Sequence, residues 1–217
     1  HSLGNIGLFF QVDLWETTPK PVGATGFYRP LMLLELALDR ALFENSARAL
    51  HLHSLLWHLG VIVLFLRLCA RMGLGRMTAL AGAVLVALHP VQAEAVFFVS
   101  ARNDSMATAW LLGAFLWLLP ADERLGTGRL LLGGICTLAA ALCKESVLLA
   151  PLALVILSRW KDEGRWNLRG VGAMGVGLCI YLRLRSIAGV PWPRRAQPLE
   201  VLDGTPEILA FFSADLL

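Results

Sequence analysis

Four groups of polar residues stand inside or against long apolar runs, where a charge is costly unless it has a use. The first is His89-Pro90-Val91-Gln92-Ala93-Glu94, which ends one apolar run and begins another. A carboxylate there faces a polar cavity or a partner. The plainer reading is a helix break, with His89 as a cap and Glu94 reaching interfacial water. The second group, Arg102-Asn103-Asp104-Ser105, lies just ahead of a further apolar run. Asp104 or Ser105 suits the N-cap of a helix starting at Met106, and Arg102 suits an anchor at headgroup level. Asn103 and Ser105 also frame a glycosylation sequon, too close to a helix start to weigh much. Lys144-Glu145 is the third group, and it splits the membrane-like stretch from Leu130 to Ser158. Adjacent helical residues do not face each other, so either the backbone turns there or each charge has its own partner. The fourth group is Arg183, Arg185, Arg194 and Arg195, among Pro191, Trp192, Pro193 and Pro198. A guanidinium offers two parallel hydrogen bonds to a phosphate, so an anionic ligand is one reading and interfacial anchoring the other.

Metal chemistry finds less support. His51 and His58, seven apart, share a helix face while His53 points away, and no further ligands complete a zinc site. Cys69, Cys136, Cys143 and Cys179 lack the paired spacing of metal ligands and read as small apolar residues. No metal ligand and no cofactor is assigned, and dependence on a divalent metal is left open.

The elements that must position these groups follow from composition. Of the 217 residues, 57% are hydrophobic and 16% charged, against roughly 45–50% and about 25% in a soluble domain. A soluble globule of this size would expose a large apolar surface, and so apolar a chain is not disordered. The 19 basic residues are offset by 16 acidic ones and diluted by apolar runs, which argues against nucleic acid as a partner. The expectation is an all-α, polytopic helical membrane protein.

A spanning helix takes about 20 apolar residues, or about 17 at the short end. The runs Leu50–Ala70, Met77–Leu88, Met106–Pro120 and Leu168–Leu184, with Leu130–Ser158 divided at Lys144-Glu145, predict about six transmembrane helices. The first 49 residues are turn-rich until Pro30, which opens a helix. Glu35, Asp39, Arg40 and Glu44 take one half of that helix, and Leu33, Leu34, Ala37, Leu38 and Ala41 lie toward the other. Such a helix is expected to lie in the interface plane. The chain thus divides into an outer loop with an interfacial helix over 1–49, a transmembrane core over 50–186, and an outer loop with the start of a further helix over 187–217. Ala173 and Gly177 form a small-xxx-small pair, a helix-packing signal.

If the helices alternate, one side receives Arg67, Arg71, Arg76, Arg124, Arg129, Arg159, Lys161, Arg165 and Arg169, nine of the 19 basic residues. The positive-inside rule puts that side in the cytoplasm. All four polar groups then fall on the outer side.

Taken in order, the pieces resemble one family. Asp13-Leu14-Trp15, Tyr28-Arg29-Pro30-Leu31, and the pair His51 and His58 are similar to the first outer loop and second span of the multipass, tetratricopeptide-repeat O-mannosyltransferase-like proteins of the GT-C superfamily. Leu88 to Val96 resembles that family's Leu-His-Pro-Val-x-x-Glu-Ala-Val segment, and Ser100 to Asp104 its Ser-x-Arg-x-Asp element. Lys144, Glu145 and Pro151 match a Lys-Glu ahead of a Pro, and Tyr181 to Arg185 a Tyr-Leu-x-x-Arg helix end. The family's first outer loop opens with an Asp-Asp pair that nothing before Asp13 supplies. Glu16 stands where Gly is more usual, Ser54 where Asn is common, and Asn103 where a small residue is common.

The resemblance implies an integral membrane glycosyltransferase. It would move a sugar, mannose being the expected one, from a polyprenyl- or dolichyl-phosphate donor to a hydroxyl of a protein or glycan acceptor. The active face is periplasmic or luminal, in a bacterial inner membrane or the endoplasmic reticulum membrane. In this superfamily an acidic residue of the first outer loop acts as base toward the acceptor, so a chain entered after the Asp-Asp pair is expected to lack that base. Basic residues compensate the departing lipid phosphate. On this pattern Asp13, Glu94 and Asp104 are the catalytic candidates. Arg29, His89, Arg102, Lys144, Glu145, Arg183 and Arg185 are the substrate-binding ones. Asp13 and Arg29 fall on the acceptor side, and Arg102, Lys144, Arg183 and Arg185 nearer the phosphate. Two rivals stand beside this reading: a transporter or flippase of lipid-linked sugars, and a non-catalytic membrane module. A chain opening at His1 and breaking off after Ala210-Phe211-Phe212, which reads as a helix beginning, is expected to be a piece of a longer protein.

Overall fold

A computed structural model describes residues 6–14, 26–44, 46–119, 125–161 and 166–192. Glu16, Arg124, Arg165, Arg194, Arg195 and the helix expected near Ala210 lie outside the described residues. Among the described residues every regular element is helical. A single turn, α1 (Ile6–Phe9), precedes α2 (Pro30–Phe43), which starts on Pro30 with Arg29 at its N-cap. Next comes α3 (Ala47–Arg71), and Gly73, at φ 75°, makes the left-handed turn into α4 (Arg76–Leu88). Glycine pays no Cβ penalty in that conformation. His89 is extended ahead of Pro90 and stops α4, as the residue before a proline is pushed out of the helical region. The chain continues through α5 (Gln92–Phe97), a 3-10 turn, α6 (Arg102–Leu118), α7 (Thr127–Cys143), a 3-10 segment over Glu145–Leu149, α8 (Ala150–Lys161) and α9 (Leu168–Ala188).

α6 packs between α3 and α7, and α7 packs on α9. Met106, Ala114, Leu118, Ala140, Ala141 and Met174 are buried along these seams. A second, smaller core of Phe9, Leu14, Met32, Leu33 and Ala37 lies under α2. Asn167 ties two helix ends together. Its Oδ1 accepts from the Gly170 amide, capping α9, while its Nδ2 donates to the Leu118 carbonyl at 2.6 Å at the end of α6.

Two helices, Ala47–Arg71 and Leu168–Ala188, are long and apolar enough to cross a membrane. Only 17% and 28% of their most apolar stretches is buried inside the chain, unlike the core helix of a soluble protein. Leu52, Leu56, Val63, Leu85, Ile135 and Ile156 are among many large apolar side chains left exposed, as on surfaces that meet a membrane or a protein partner. The apolar helices α4 and α7 are shorter, at 13 and 17 residues, because His89-Pro90 and Lys144 stop them early.

Two local expectations are revised. α6 begins at Arg102 rather than Met106, so Arg102 to Ser105 form its first turn and neither Asp104 nor Ser105 is the N-cap. The helix expected in the interface plane departs from its two halves: Glu35 and Asp39 are buried together with Leu33 and Ala37, while Leu38 and Leu42 are exposed. An opposite charge inside the fold, on Arg102, draws the two carboxylates in beside the apolar residues.

The small-residue pair on α9 does pack. A Cβ on Gly177 would lie 2.5 Å from the Gly134 carbonyl oxygen of α7, and one on Gly134 would lie 3.1 Å from the Ala173 carbonyl. Neither backbone can yield without moving a helix. Replacing Gly177 with Leu is therefore expected to cost about 1–3 kcal/mol by overpacking, read as a lower midpoint of thermal unfolding in detergent. An unchanged midpoint would mean that the two helices do not meet there.

Candidate functional site

The best-connected side chain is Arg102, fully buried at the start of α6. Its Nε donates to Ser54 Oγ at 2.9 Å and its Nη2 to the Leu50 carbonyl at 2.7 Å, both on α3. Its Nη1 donates to Glu35 Oε2 at 2.9 Å and to Asp39 Oδ2, both on α2. One turn separates Glu35 from Asp39, so they share the helix face that Arg102 meets. His53 joins from α3, with Nδ1 2.5 Å from Asp39 Oδ1 and Nε2 3.5 Å from Glu35 Oε1. Trp57, four residues on, donates to Glu35 Oε1 at 2.7 Å. Arg102 is thus a buried lock between α2, α3 and α6 rather than a headgroup anchor.

Among the described residues, Glu35, Asp39 and His53 offer the donor types and closeness of a metal set, with ligand atoms within 4.8 Å of one another. The Arg102 guanidinium already bonds both carboxylates, so a cation is supplied from within. His51 and His58 do not act together: His51 is exposed, whereas His58 is buried with Nε2 3.3 Å from the Ala87 carbonyl.

Two residues after Arg102, Asp104 faces a different partner. Lys144 Nζ donates to Asp104 Oδ1 at 2.5 Å, with both side chains partly exposed. The backbone leaves the helix at Lys144, which is extended at φ −155° and ψ 130°. Consequently Glu145 points elsewhere and takes Arg29 in a two-pronged pair, Nε to Oε2 at 3.2 Å and Nη2 to Oε1 at 2.9 Å. Both alternatives raised for Lys144-Glu145 hold: the backbone turns, and each charge has its own partner. The Arg29 guanidinium also stacks 4.5 Å from the Phe27 ring centre.

Two open cavities share Asp104 and Thr108 in their linings. One, of about 300 Å³, is lined by Lys144 and Ser146 with apolar Leu111, Leu149 and Ala153. The other, of about 400 Å³, is lined by His58, Gln92, Glu94 and Ser105 with Val61 and Phe65. Glu94, on α5, is exposed. Lys144 and Glu94 therefore line two neighbouring cavities that have Asp104 in common, and Arg29 and Glu145 lie near the first through the Lys144-Glu145 turn.

The remaining candidates lie elsewhere. Asp13 is buried, its Oδ2 accepting from the Gly26 and Phe27 amides at 2.6 and 2.9 Å. It organises the chain leading into α2. Arg185 is buried, donating to Tyr181 Oη at 3.2 Å, to the Gly26 carbonyl at 2.8 Å and to the Pro191 carbonyl, with Trp192 4.2 Å away over its plane. Arg183, two residues earlier, is exposed on another side of α9. His89 is exposed and accepts from the Val91 amide. Tyr28 packs 5.9 Å from Tyr181, ring centre to ring centre. Burial, then the neighbouring Tyr181 hydroxyl, push the Tyr28 phenol up to about 12 against the pull of Arg185. Its hydroxyl stays a neutral donor, to the Phe10 carbonyl at 3.2 Å.

Sequence reading missed Glu35, Asp39, His53 and Trp57. Their signal was present as two pairs spaced four apart, Glu35 with Asp39 and His53 with Trp57. Gln92, Ser105 and Thr108 carried no comparable mark.

Among curated proteins, the relatives found are O-mannosyl-transferases. Protein O-mannosyl-transferase TMTC3 of Mus musculus is 32% identical over 139 residues, covering 63% of this chain and 15% of the mouse protein. Protein O-mannosyl-transferase Tmtc2 of Drosophila melanogaster is 31% identical over 198 residues, covering 83% of this chain and 21% of the fly protein. Protein O-mannosyl-transferase TMTC2 of Mus musculus is 32% identical over 142 residues, 63% of this chain and 17% of its own length. The chain is a homologue of the TMTC O-mannosyl-transferases. It spans only 12% to 21% of the TMTC relatives' own lengths. No family model and no solved structure matches. The expected family kinship is therefore met through TMTC relatives alone, and the helical fold with its charged cavities is read from this chain itself.

Proposed function

We propose that the chain is part of a GT-C-type integral membrane glycosyltransferase, in which α3, α4 and α6–α9 make about six crossings. It transfers a sugar, mannose by kinship, from a polyprenyl- or dolichyl-phosphate donor to a protein or glycan hydroxyl. Transfer takes place at the periplasmic or luminal face, where Glu94, Asp104 and Lys144 gather. The observation carrying this reading is the pair of cavities that share Asp104 and Thr108, one with a cation among apolar walls and one with carboxylate, amide and hydroxyl groups. The first suits a lipid phosphate and the second an acceptor hydroxyl beside a sugar.

In the reaction the acceptor oxygen attacks the anomeric carbon as its proton passes to a carboxylate. The bond from that carbon to the phosphate oxygen breaks, and the lipid phosphate leaves with its charge held by Lys144. Glu94 is the better base candidate. Asp13 already accepts two backbone hydrogen bonds in a buried loop, and Asp104 is paired with Lys144. Arg29 and Glu145 hold the Lys144 turn, and Arg102 holds the start of α6 on which Asp104 sits. Arg183 and His89, both exposed, are free to meet the lipid phosphate or the acceptor from outside.

The test is sugar transfer by the full-length protein from a radiolabelled polyprenyl-phosphate sugar. Lys144→Ala is expected to raise KM for the donor roughly ten- to a hundredfold, the weight of one charge-assisted hydrogen bond. An unchanged KM would remove Lys144 from the donor site.

A further inference from the structure

An apolar groove runs along the outside of the molecule between α7 and α9, and it shares no lining residue with the charged cavities. Its volume is about 300 Å³. Leu131, Ile135, Val176 and Ile180 wall it, and Gly134 and Gly177, where the two backbones touch, form its floor. Its polar lining is Thr127 and Arg169, the first residue of α7 and the second of α9. The two helices run in the same direction, since Gly134 meets both Ala173 and Gly177 while Gly177 also nears Leu138. Thr127 and Arg169 therefore close one end together, and both helix N-termini add their positive dipole ends there.

That end has the character of a membrane boundary. Trp160 and Trp166 are exposed beside it, at the end of α8 and just ahead of α9. The Arg159 guanidinium stacks 4.6 Å from the Trp166 ring centre. Tryptophan and arginine in this arrangement sit at headgroup level, and it is the end to which the basic loops belong. A groove apolar along its length and cationic at the headgroup end is complementary to a lipid with an apolar tail and an anionic head. Basic pockets between membrane helices on the cytoplasmic side favour anionic headgroups.

We propose that this groove holds one acyl chain of an anionic phospholipid, with the lipid phosphate on the Arg169 guanidinium. The site rests on α7 and α9 crossing the membrane and is independent of the transfer reaction. Its occupant fills the gap left where glycines bring two backbones together, and so stiffens the α7–α9 seam.

The experiment is native mass spectrometry of the full-length protein in neutral detergent, offered equimolar phosphatidylglycerol and phosphatidylcholine of identical chains. The expected preference for phosphatidylglycerol is roughly fivefold, the worth of one basic residue at an anionic headgroup. Arg169→Gln is expected to abolish the preference while lipid of both kinds still binds. Ile135→Trp, at an exposed position that tolerates bulk, should reduce binding of both. Equal retention of the two lipids by the unaltered protein, or a preference that survives Arg169→Gln, would overturn the proposal. So would inorganic phosphate displacing the bound lipid, since headgroup contact alone would then suffice. Alkaline extraction of protein-bearing vesicles separates the two layers of inference: retention without lipid preference sinks the groove alone, and release sinks the membrane crossing with it.

Discussion

Arg102→Ala is expected to leave the protein without a stable fold. The substitution strands Glu35 and Asp39, which are 7% and 0% exposed, with no guanidinium between them. Removing one partner of a buried ion pair costs about 3–5 kcal/mol, a large share of the roughly 5–15 kcal/mol that holds a domain together. Lysine is a poor replacement, because one ammonium cannot reach Ser54, the Leu50 carbonyl and both carboxylates at once. The triple change Arg102→Met, Glu35→Gln and Asp39→Asn removes the charge from all three partners and is expected to recover most of the loss. Thermal unfolding in detergent reads both variants. If Arg102→Ala melts with the unaltered protein, the lock carries no weight.

Glu94→Gln is expected to be silent in stability and severe in turnover. The residue is exposed on the short helix α5, and surface changes of this kind stay within about 0.5 kcal/mol. A positioned general base contributes about a hundred- to ten-thousandfold, so the transfer rate should fall by that factor while KM for the lipid donor holds. Asp13→Asn should behave in the opposite way, lowering the melting temperature through the loop that it braces. Full transfer by Glu94→Gln would return the base role to another carboxylate. The two variants together separate a residue that handles the proton from one that holds the chain in place.

Helix positions were readable because they depend on local pattern. Pro30 opens α2, His89-Pro90 closes α4, and Lys144 divides α7 from α8, each where the residues predict. What a helix face meets was not local. Glu35 and Asp39 on a helix with an apolar stripe read as a water-facing edge, and only Arg102, 67 and 63 residues further on, turns that edge inward. Arg102 itself read as an anchor since its partners sit on two other helices. The site residues divide the same way. Lys144-Glu145 stood out because a turn rarely needs two charges inside an apolar stretch. Thr108 did not, since a hydroxyl within an apolar run is ordinary until the cavities on either side of it are known.

The Arg102 lock also sets an order of events while the chain is being made. Glu35 and Asp39 are synthesised 67 and 63 residues before Arg102. At about 5–20 residues per second, that interval is on the order of several seconds. Through that time Glu35 and Asp39 have His53 and Trp57 of α3 as partners, but not the guanidinium that bonds both carboxylates. Only when α6 arrives can Arg102 join α2 and α3 to it. α2 is thus locked in place well after it is made, and a ribosome paused before Arg102 would hold a chain in which α2 still lacks that lock.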